Sequence, residues 1–257
     1  MDELIYISSV ILNFTGSIQA LLSMSNRNIV LNIPHSSIVG IFDNEIGRWP
    51  TNPHFINDYI NKWTDWWTDF LFQIDNERVK SFVFPYSQFV CDAKILDNAP
   101  MEEIGQGIIY TNFGGYKRGE LKKENKQRLL NIRKDYLNSI SSTLTPESVL
   151  IDCHSFPSEM SDVDICIGFN EDWSFDEKLI FNVTETFKKS GYKVTLNEHY
   201  SKSLTTLAVF ENKSLMIEVN KKVYMNEKLM TLQRNQRQWM RWFGCLNRVY
   251  DTILNHV

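Results

Sequence analysis

The sequence predicts an α/β fold in which a mostly parallel or mixed β-sheet carries helices on both faces. Two observations predict it. Short apolar runs alternate with longer segments of helical periodicity, and no internal repeat or Pro/Gly-rich linker divides the chain. The chain has 257 residues, which is enough for one large domain with a buried core. We therefore expect residues 1–257 to form a single domain.

The first elements are a strand, a helix and a second β-rich stretch. NIVLNI (28–33) is a short apolar run that ends at Pro34, which predicts a strand followed by a loop. Aromatic residues recur at helical spacing from about Pro53 to Phe72, with Asn52-Pro53 as the start. SFVFPYSQFVCDA (81–93) is β-rich, but its internal proline predicts an edge strand or a bulge.

The middle of the chain continues the alternation. A polar helix is predicted from about Gly119 to Leu144, followed by the strand VLIDCHS, which begins at Val149, and by the strand DVDICIGF (162–169). The next helix (174–191) is predicted to begin with a capping box, Ser174 followed three residues later by glutamate, and to stop at a glycine.

The last third supplies further strands and a closing helix. KVTLNE is a strand, and LAVFENKSLMIEVN (207–220) is predicted to be a hairpin that turns at Asn212-Lys213. Apolar residues from about Asn226 to Asn255 fall on one side of an amphipathic helix.

Composition excludes several classes of function. The net charge of −4 argues against nucleic-acid binding, which normally needs a clustered basic face. No stretch is long and apolar enough to span a membrane, and the apolar N-terminus lacks the basic residues of a signal peptide. The four cysteines are scattered without a C-x-x-C pair, which favours reduced thiols. We expect a soluble, cytoplasmic protein.

Two histidines follow predicted strands, where active sites of such sheets lie. His35 follows NIVLNIP and His154 follows VLIDC, and each precedes a serine. Two histidines and one carboxylate are a common zinc ligand set that leaves a position for water. Glu218, inside the apolar run SLMIEVN, is either a solvent-facing residue of a half-exposed strand or a desolvated carboxylate with a raised pKa that suits acid–base catalysis.

Five segments carry a resemblance to a known family: NIPHSS, KWTDWWTDFLF, LIDCHSFPSEMSDVDICIGF, LNEHYSKSLTTL and SLMIEVNKKVYM. In this order and spacing they resemble the N-formylglutamate amidohydrolase family, from about residue 28 to about 225. More distantly, the family is similar to zinc carboxypeptidases. This resemblance implies a three-layer α/β/α sandwich around a central mixed sheet, with zinc or another divalent transition metal as the cofactor.

The resemblance also implies roles for individual residues. His35 and His154 would bind the metal, and Glu218 would activate the water. Asp152, with Ser155 beside it, would orient a ligand or a neighbouring strand end by hydrogen bonding.

The third metal ligand is less directly implied. We favour Asp65, which lies in a T-D-W sequence among tryptophans, over Asp43 or Glu45 in the loop after His35.

One region departs from the family pattern S-R-x-x-x-D-x-N-R, whose arginines and asparagine would bind substrate carboxylates. The first arginine is replaced by Gln88, and the Asn-Arg pair is absent from the stretch that contains Ala93-Lys94. Lysine is a point charge and glutamine is neutral, so neither reproduces the bidentate fork of arginine. The reaction class survives these changes, whereas N-formylglutamate itself becomes doubtful as the substrate.

The expected function is hydrolysis of the amide bond of a small anionic N-acyl amino acid or related amide. The candidate substrate-binding residues are Lys94, Arg118, His199 and Lys202. The alternative is a degenerate family member that binds a ligand or partner without turnover.

Overall fold

The computed structural model describes residues 28–97, 99–198 and 212–256. Its strands, in chain order, are β1 (Ile29–Ile33), β2 (Val79–Val83), β3 (Asn112–Phe113), β4 (Tyr116–Lys117), β5 (Val149–Phe156), β6 (Ile165–Gly168), β7 (Val194–Leu196), β8 (Lys213–Asn220), β9 (Met225–Asn226) and β10 (Thr231–Leu232). Its α-helices are α1 (Pro53–Phe55), α2 (Asn61–Trp63), α3 (Thr68–Leu71), α4 (Lys123–Thr143), α5 (Glu177–Lys189) and α6 (Gln236–Leu254).

Six strands form the central sheet, in the order β2-β1-β5-β8-β6-β7. β2, β1, β5 and β8 run parallel to one another, whereas β6 is antiparallel to β8 and parallel to β7. The sheet is therefore mixed, as the resemblance implied. The carboxyl ends of its four parallel strands meet at one edge, where ligand sites of such sheets occur.

The two faces of the sheet are covered by different helices. Alternate residues of the strands point to opposite faces. Ile29, Ile151 and Ile217 belong to a core shared with α5 and α6. Val30 and Leu150 belong to a second core shared with α4. This arrangement confirms the predicted α/β/α sandwich. None of the helices in the described ranges is both long and apolar enough to cross a membrane.

The predicted helix over 53–72 is broken in the structure. α1 continues into a π-helical turn (Ile56–Ile60) and then α2, which ends at Thr64 in an extended conformation. Trp67, which has a φ of 56°, precedes the short helix α3. A left-handed conformation is costly for a bulky residue. The aromatic periodicity predicted the helical segments, but it could not predict the break between them.

Other boundaries also differ from the prediction. The β-rich stretch 81–93 forms a strand only as far as Val83, and β2 is an edge strand, as Pro85 indicated. The predicted capping box was wrong, because Asp176 caps α5 and accepts a hydrogen bond from the backbone of Leu179.

The end of the chain differs as well. The closing helix begins at Gln236, ten residues later than predicted, because the β9–β10 hairpin comes first. The first arm of the predicted 207–220 hairpin lies outside the described residues. Its second arm, β8, lies between β5 and β6 in the sheet.

Candidate active site

The carboxyl ends of β1, β5 and β8 bring the predicted residues together. His35 lies two residues beyond the end of β1. His154 lies in β5, directly opposite Glu218 in the register of β5 with β8. Residues opposite each other on adjacent strands project from the same face of the sheet. For Glu218 this is the face opposite to Ile217 and Val219, which belong to the core beneath α5 and α6.

Asp65 enters the site because a turn separates α2 from α3. The backbone N–H of Asp65 donates to the carbonyl of His35 at 3.0 Å. The hydroxyl of Thr68, at the start of α3, donates to the carbonyl of Asp65 at 2.8 Å. These two hydrogen bonds fix the backbone of Asp65 beside that of His35, so the left-handed residue Trp67 belongs to the turn that directs a carboxylate into the site.

His35, Asp65 and His154 form a compact group of potential metal ligands. Their ligand atoms all lie within 4.8 Å of one another. Asp65 Oδ2 lies 2.9 Å from His154 Nδ1 and 3.7 Å from His35 Nδ1. The hydroxyl of Ser155 donates to the other oxygen of Asp65 at 3.1 Å. Two imidazole nitrogens and one carboxylate oxygen are a donor set that suits zinc, so the residues present fit a divalent metal ion.

The outer nitrogen of His35 is held by a carboxylate that the sequence analysis did not single out. His35 Nε2 donates to Asp92 Oδ1 at 2.9 Å, and Asp92 also accepts hydrogen bonds from the Tyr110 hydroxyl at 2.9 Å and the Lys94 backbone at 2.8 Å. Burial alone would raise the pKa of Asp92, but the charge of His35 and these hydrogen bonds lower it to about 2. Asp92 is therefore an anion that fixes the imidazole orientation and directs Nδ1 towards Asp65.

The outer nitrogen of His154 meets a cation instead. Lys94 Nζ lies 3.0 Å from His154 Nε2 and donates to Met216 Sδ at 3.2 Å. Burial, followed by the charge of Lys94, lowers the pKa of His154 to about 4, against the opposing effect of Asp65. His154 is therefore a neutral imidazole at pH 7, which is the form that binds metals.

Glu218 is a buried carboxylate that lines the same cleft. The residue is only 4% exposed, and Oε2 has no hydrogen-bond partner among the described residues. Burial raises the pKa of Glu218 to about 8, although the nearby charge of Lys94 opposes this shift. The structure thus favours the desolvated carboxylate over a solvent-facing residue.

The cleft has a volume of about 490 Å³. His35, Asp65, His154 and Glu218 lie on its lining, together with Lys94. This volume suits a small-molecule ligand.

Several predicted residues lie elsewhere. Asp43 accepts hydrogen bonds from backbone groups of its own turn, and Glu45 accepts one from Asn125 on α4. Asp152 accepts a hydrogen bond from Asn32 on β1 at 2.6 Å rather than from one of the three candidate ligands. It thus contacts the neighbouring strand, which is one of the two roles proposed for it.

Arg118 is not brought into the cleft. Its guanidinium donates to the carbonyls of Gly47 at 2.7 Å, Val90 at 2.9 Å and Tyr110 at 3.0 Å. A buried guanidinium committed to backbone carbonyls joins loops together, so the structure does not support a role in substrate binding. His199 and Lys202 lie outside the described residues.

The fold and the site together define a class of protein. It is an α/β/α sandwich with a buried His–Asp–His group and an adjacent glutamate at the carboxyl ends of parallel strands. The family model of N-formylglutamate amidohydrolase matches residues 28–225, well over half of the chain, and the chain belongs to this family.

Solved structures support the same fold. An N-formylglutamate amidohydrolase from Ralstonia eutropha JMP134 is similar with a TM-score of 0.67 and 15% identity, covering 88% of this chain and 91% of that one. A gene product from Agrobacterium tumefaciens is similar with a TM-score of 0.58 and 13% identity, covering 90% of this chain and 94% of that one. No curated protein matches the sequence.

Proposed function

We propose that this protein is a metal-dependent amidohydrolase that cleaves the amide bond of a small N-acyl amino acid. One observation carries the proposal: the ligand atoms of His35, Asp65 and His154 lie within 4.8 Å of one another in a cleft that Glu218 also lines. Membership of the N-formylglutamate amidohydrolase family supports the reaction class. Four buried free cysteines are consistent with our proposal that the protein works in the reducing cytoplasm.

His35, Asp65 and His154 are the residues that would hold the metal ion, and zinc is the ion that we propose. A bound zinc ion would polarise the scissile carbonyl and lower the pKa of a bound water from about 15.7 to about 7. Asp92 keeps the ring of His35 in the orientation that presents Nδ1.

Glu218 is the residue that we propose moves the proton. In its ionised form the carboxylate accepts a proton from the attacking water and passes it to the leaving nitrogen as the C–N bond breaks. The products are the acyl carboxylic acid and the free amino acid. Burial without a hydrogen-bond partner at Oε2 leaves that oxygen available to a water or to the substrate nitrogen.

Lys94 is the residue that we propose holds the substrate carboxylate. Its ammonium lies on the cleft lining, 3.0 Å from His154, and therefore next to the candidate metal ligands. A single lysine can neutralise one carboxylate as a point charge.

Replacing Glu218 with glutamine tests the mechanism. The Glu218→Gln variant should bind zinc with the stoichiometry of the wild type but lose turnover by on the order of 10² or more, because general acid–base help is removed. Glu171→Gln, in an exposed loop, is the matched control and should retain full activity. Undiminished turnover by Glu218→Gln would remove Glu218 from the mechanism.

The departures at Gln88 and at Ala93-Lys94 favour a second candidate, a protein that binds its ligand without turnover. Metal analysis and an acyl-amide panel separate the two. Stoichiometric zinc with hydrolysis of at least one member supports the enzyme. Wild-type protein that lacks metal and hydrolyses none of them would support the binding protein.

A further inference from the structure

The cleft that contains the candidate metal ligands also has apolar and aromatic side chains on its lining. Trp63, Ile95, Met101, Tyr110 and Phe113 contribute to it. Binding an apolar group against such a surface is favourable, because apolar area is removed from water. Binding a charged group there is unfavourable, because the charge loses its hydration.

Phe113 is held rigidly in this wall. Its ring stacks on that of Tyr110 at 5.8 Å between centroids, and meets Phe89 edge-on at 5.1 Å and Tyr59 edge-on at 5.7 Å. Such aromatic pairs are favourable geometries that restrain the ring. The wall is therefore formed before a ligand arrives.

Gln88 offers less to a carboxylate than an arginine would. Its side-chain nitrogen donates to the backbone carbonyl of Trp63 at 2.5 Å, and the side chain is 9% exposed. This contact uses one of the two N–H groups of the amide, so one N–H and the acceptor oxygen remain. Gln88 could therefore give a carboxylate one neutral hydrogen bond at most, whereas an arginine at this position could bind one through two charge-assisted hydrogen bonds.

Lys94 is the only lysine or arginine among the described residues that line the cleft. Asp65, Asp92 and Glu218 also line it, and each is buried. One ammonium can compensate the carboxylate that every N-acyl amino acid carries. A second carboxylate on the substrate would face an apolar wall, the neutral amide of Gln88 and nearby acidic groups.

We propose that the cleft selects N-acyl amino acids that carry a single carboxylate and an apolar side chain, and that it discriminates against N-acyl dicarboxylic amino acids. The proposal rests on the proposed function for the identity of the acylated amino acid. It assigns the carboxylate to Lys94 and the side chain to the wall that contains Phe113 and Trp63.

Three ligands of similar side-chain length test the proposal by separating apolarity from charge: N-formyl-L-methionine, N-formyl-L-glutamine and N-formyl-L-glutamate. Their dissociation constants are measured by calorimetry on zinc-supplied Glu218→Gln, so that ligand is consumed only slowly, and by thermal shift on the wild type. We expect the methionine compound to bind roughly tenfold or more tightly than the glutamate compound, with glutamine between them. Equal affinities, or a preference for N-formyl-L-glutamate, would overturn the proposal.

A pair of serine variants locates the selectivity. Phe113→Ser should reduce the preference for the methionine compound several-fold, because it removes the apolar wall. Ile104→Ser changes an exposed apolar side chain that does not line the cleft, and should leave the preference intact. An unchanged preference in folded Phe113→Ser would overturn the assignment of the wall. An equal loss of the preference in both variants would also overturn the assignment of the wall.

The experiments give different results when the proposed selectivity is wrong and when the proposed hydrolase activity is wrong. If the wild type hydrolyses none of the three compounds but binds the methionine compound best, the selectivity stands and the proposed hydrolase activity fails. If it hydrolyses N-formyl-L-glutamate with the highest kcat/KM, the hydrolase stands and the selectivity fails.

Discussion

At the scale of single residues, the site depends on the contact that each imidazole makes through the nitrogen that faces away from Asp65. His35 and His154 each direct Nδ1 towards Asp65 and use Nε2 for a second contact, His35 with an anion and His154 with a cation. Asp92 suits a metal-bound imidazole better than Lys94 does. A metal-bound imidazole keeps an N–H on its other nitrogen, and a carboxylate can accept a hydrogen bond from it. Asp92 is thus a positioning residue for a candidate metal ligand.

Changing Asp92 to asparagine should weaken metal binding more than it weakens the fold. We expect Asp92→Asn to lower zinc affinity by roughly 10- to 100-fold, because the amide no longer fixes the ring of His35 as a carboxylate does. The measurement is a competition titration with a chromogenic chelator. Asp97→Asn, an exposed carboxylate in the same loop region, is the control and should bind zinc as the wild type does. Equal zinc affinities for both variants would show that Asp92 does not position His35.

The sequence could predict the residues that follow strands, but not those that contact them from another segment. His35, His154 and Glu218 each lie in or just after an apolar run, so their convergence follows from the rule that parallel strands share an edge. Asp92 comes from a loop 57 positions after its partner His35, and no local pattern joins the two. The contacts of Arg118 could not be predicted from a local pattern either. Its basic character suggested an anionic ligand, whereas its partners in the structure are backbone carbonyls.

At the scale of elements, a small hairpin forms one wall of the cleft. β3 and β4 are joined by Gly114 and Gly115, which have φ values of 57° and 80°. A two-residue type I′ hairpin turn requires a positive φ at both of its residues, and glycine adopts this conformation without strain. Phe113 directly precedes this turn, so the turn geometry fixes the position of the wall.

The two glycines should differ in their tolerance of a methyl group. A Cβ at Gly115 meets nothing within 4 Å, whereas a Cβ at Gly114 would collide with the ring of Tyr59. We expect Gly115→Ala to lower the free energy of unfolding by about 1–2 kcal/mol through backbone strain alone. Gly114→Ala should lower it clearly further, because the hairpin must also move away from Tyr59. Urea denaturation of the two variants compares them directly, and equal losses would contradict the packing of the hairpin on Tyr59.

The elements themselves were predicted where hydrophobic periodicity was strong and missed where tertiary contacts decide. The buried strands around Ile151 and Ile217, together with the long helix α4, followed from their patterns. The break before Trp67 did not, and there the backbone of Asp65 bonds to His35, a residue 30 positions earlier that no local pattern points to. Sequence periodicity predicts which face of an element is buried. It does not predict where contacts with a distant segment accompany the end of that element.

At the scale of the whole molecule, the candidate metal ligands join distant parts of the chain. His35 follows β1, Asp65 lies between two short helices, and His154 lies in β5. An unfolded chain does not hold these three residues at a common point, so an ion that they bind favours the folded state.

Zinc should therefore raise the thermal stability of the folded protein. With free zinc at 100 times its dissociation constant, the gain is about 2.7 kcal/mol, and it should disappear on addition of a chelator. The measurement is the difference in Tm between chelator-treated and zinc-supplied samples. His154→Ala should abolish this difference, whereas His54→Ala, an exposed histidine outside the site, should preserve it. A wild-type Tm that zinc does not change would show that these residues do not bind zinc.

The pairing of His154 with Glu218 across β5 and β8 links the chemistry to the alignment of two strands. Sliding β8 by a single position would turn Glu218 towards the opposite core and present an aliphatic neighbour in its place. Such a misaligned molecule could keep its secondary structure and remain folded while losing its proton-transfer group. Turnover is thus a sensitive reporter of strand alignment in the middle of the sheet, and spectroscopic helix or strand content is not.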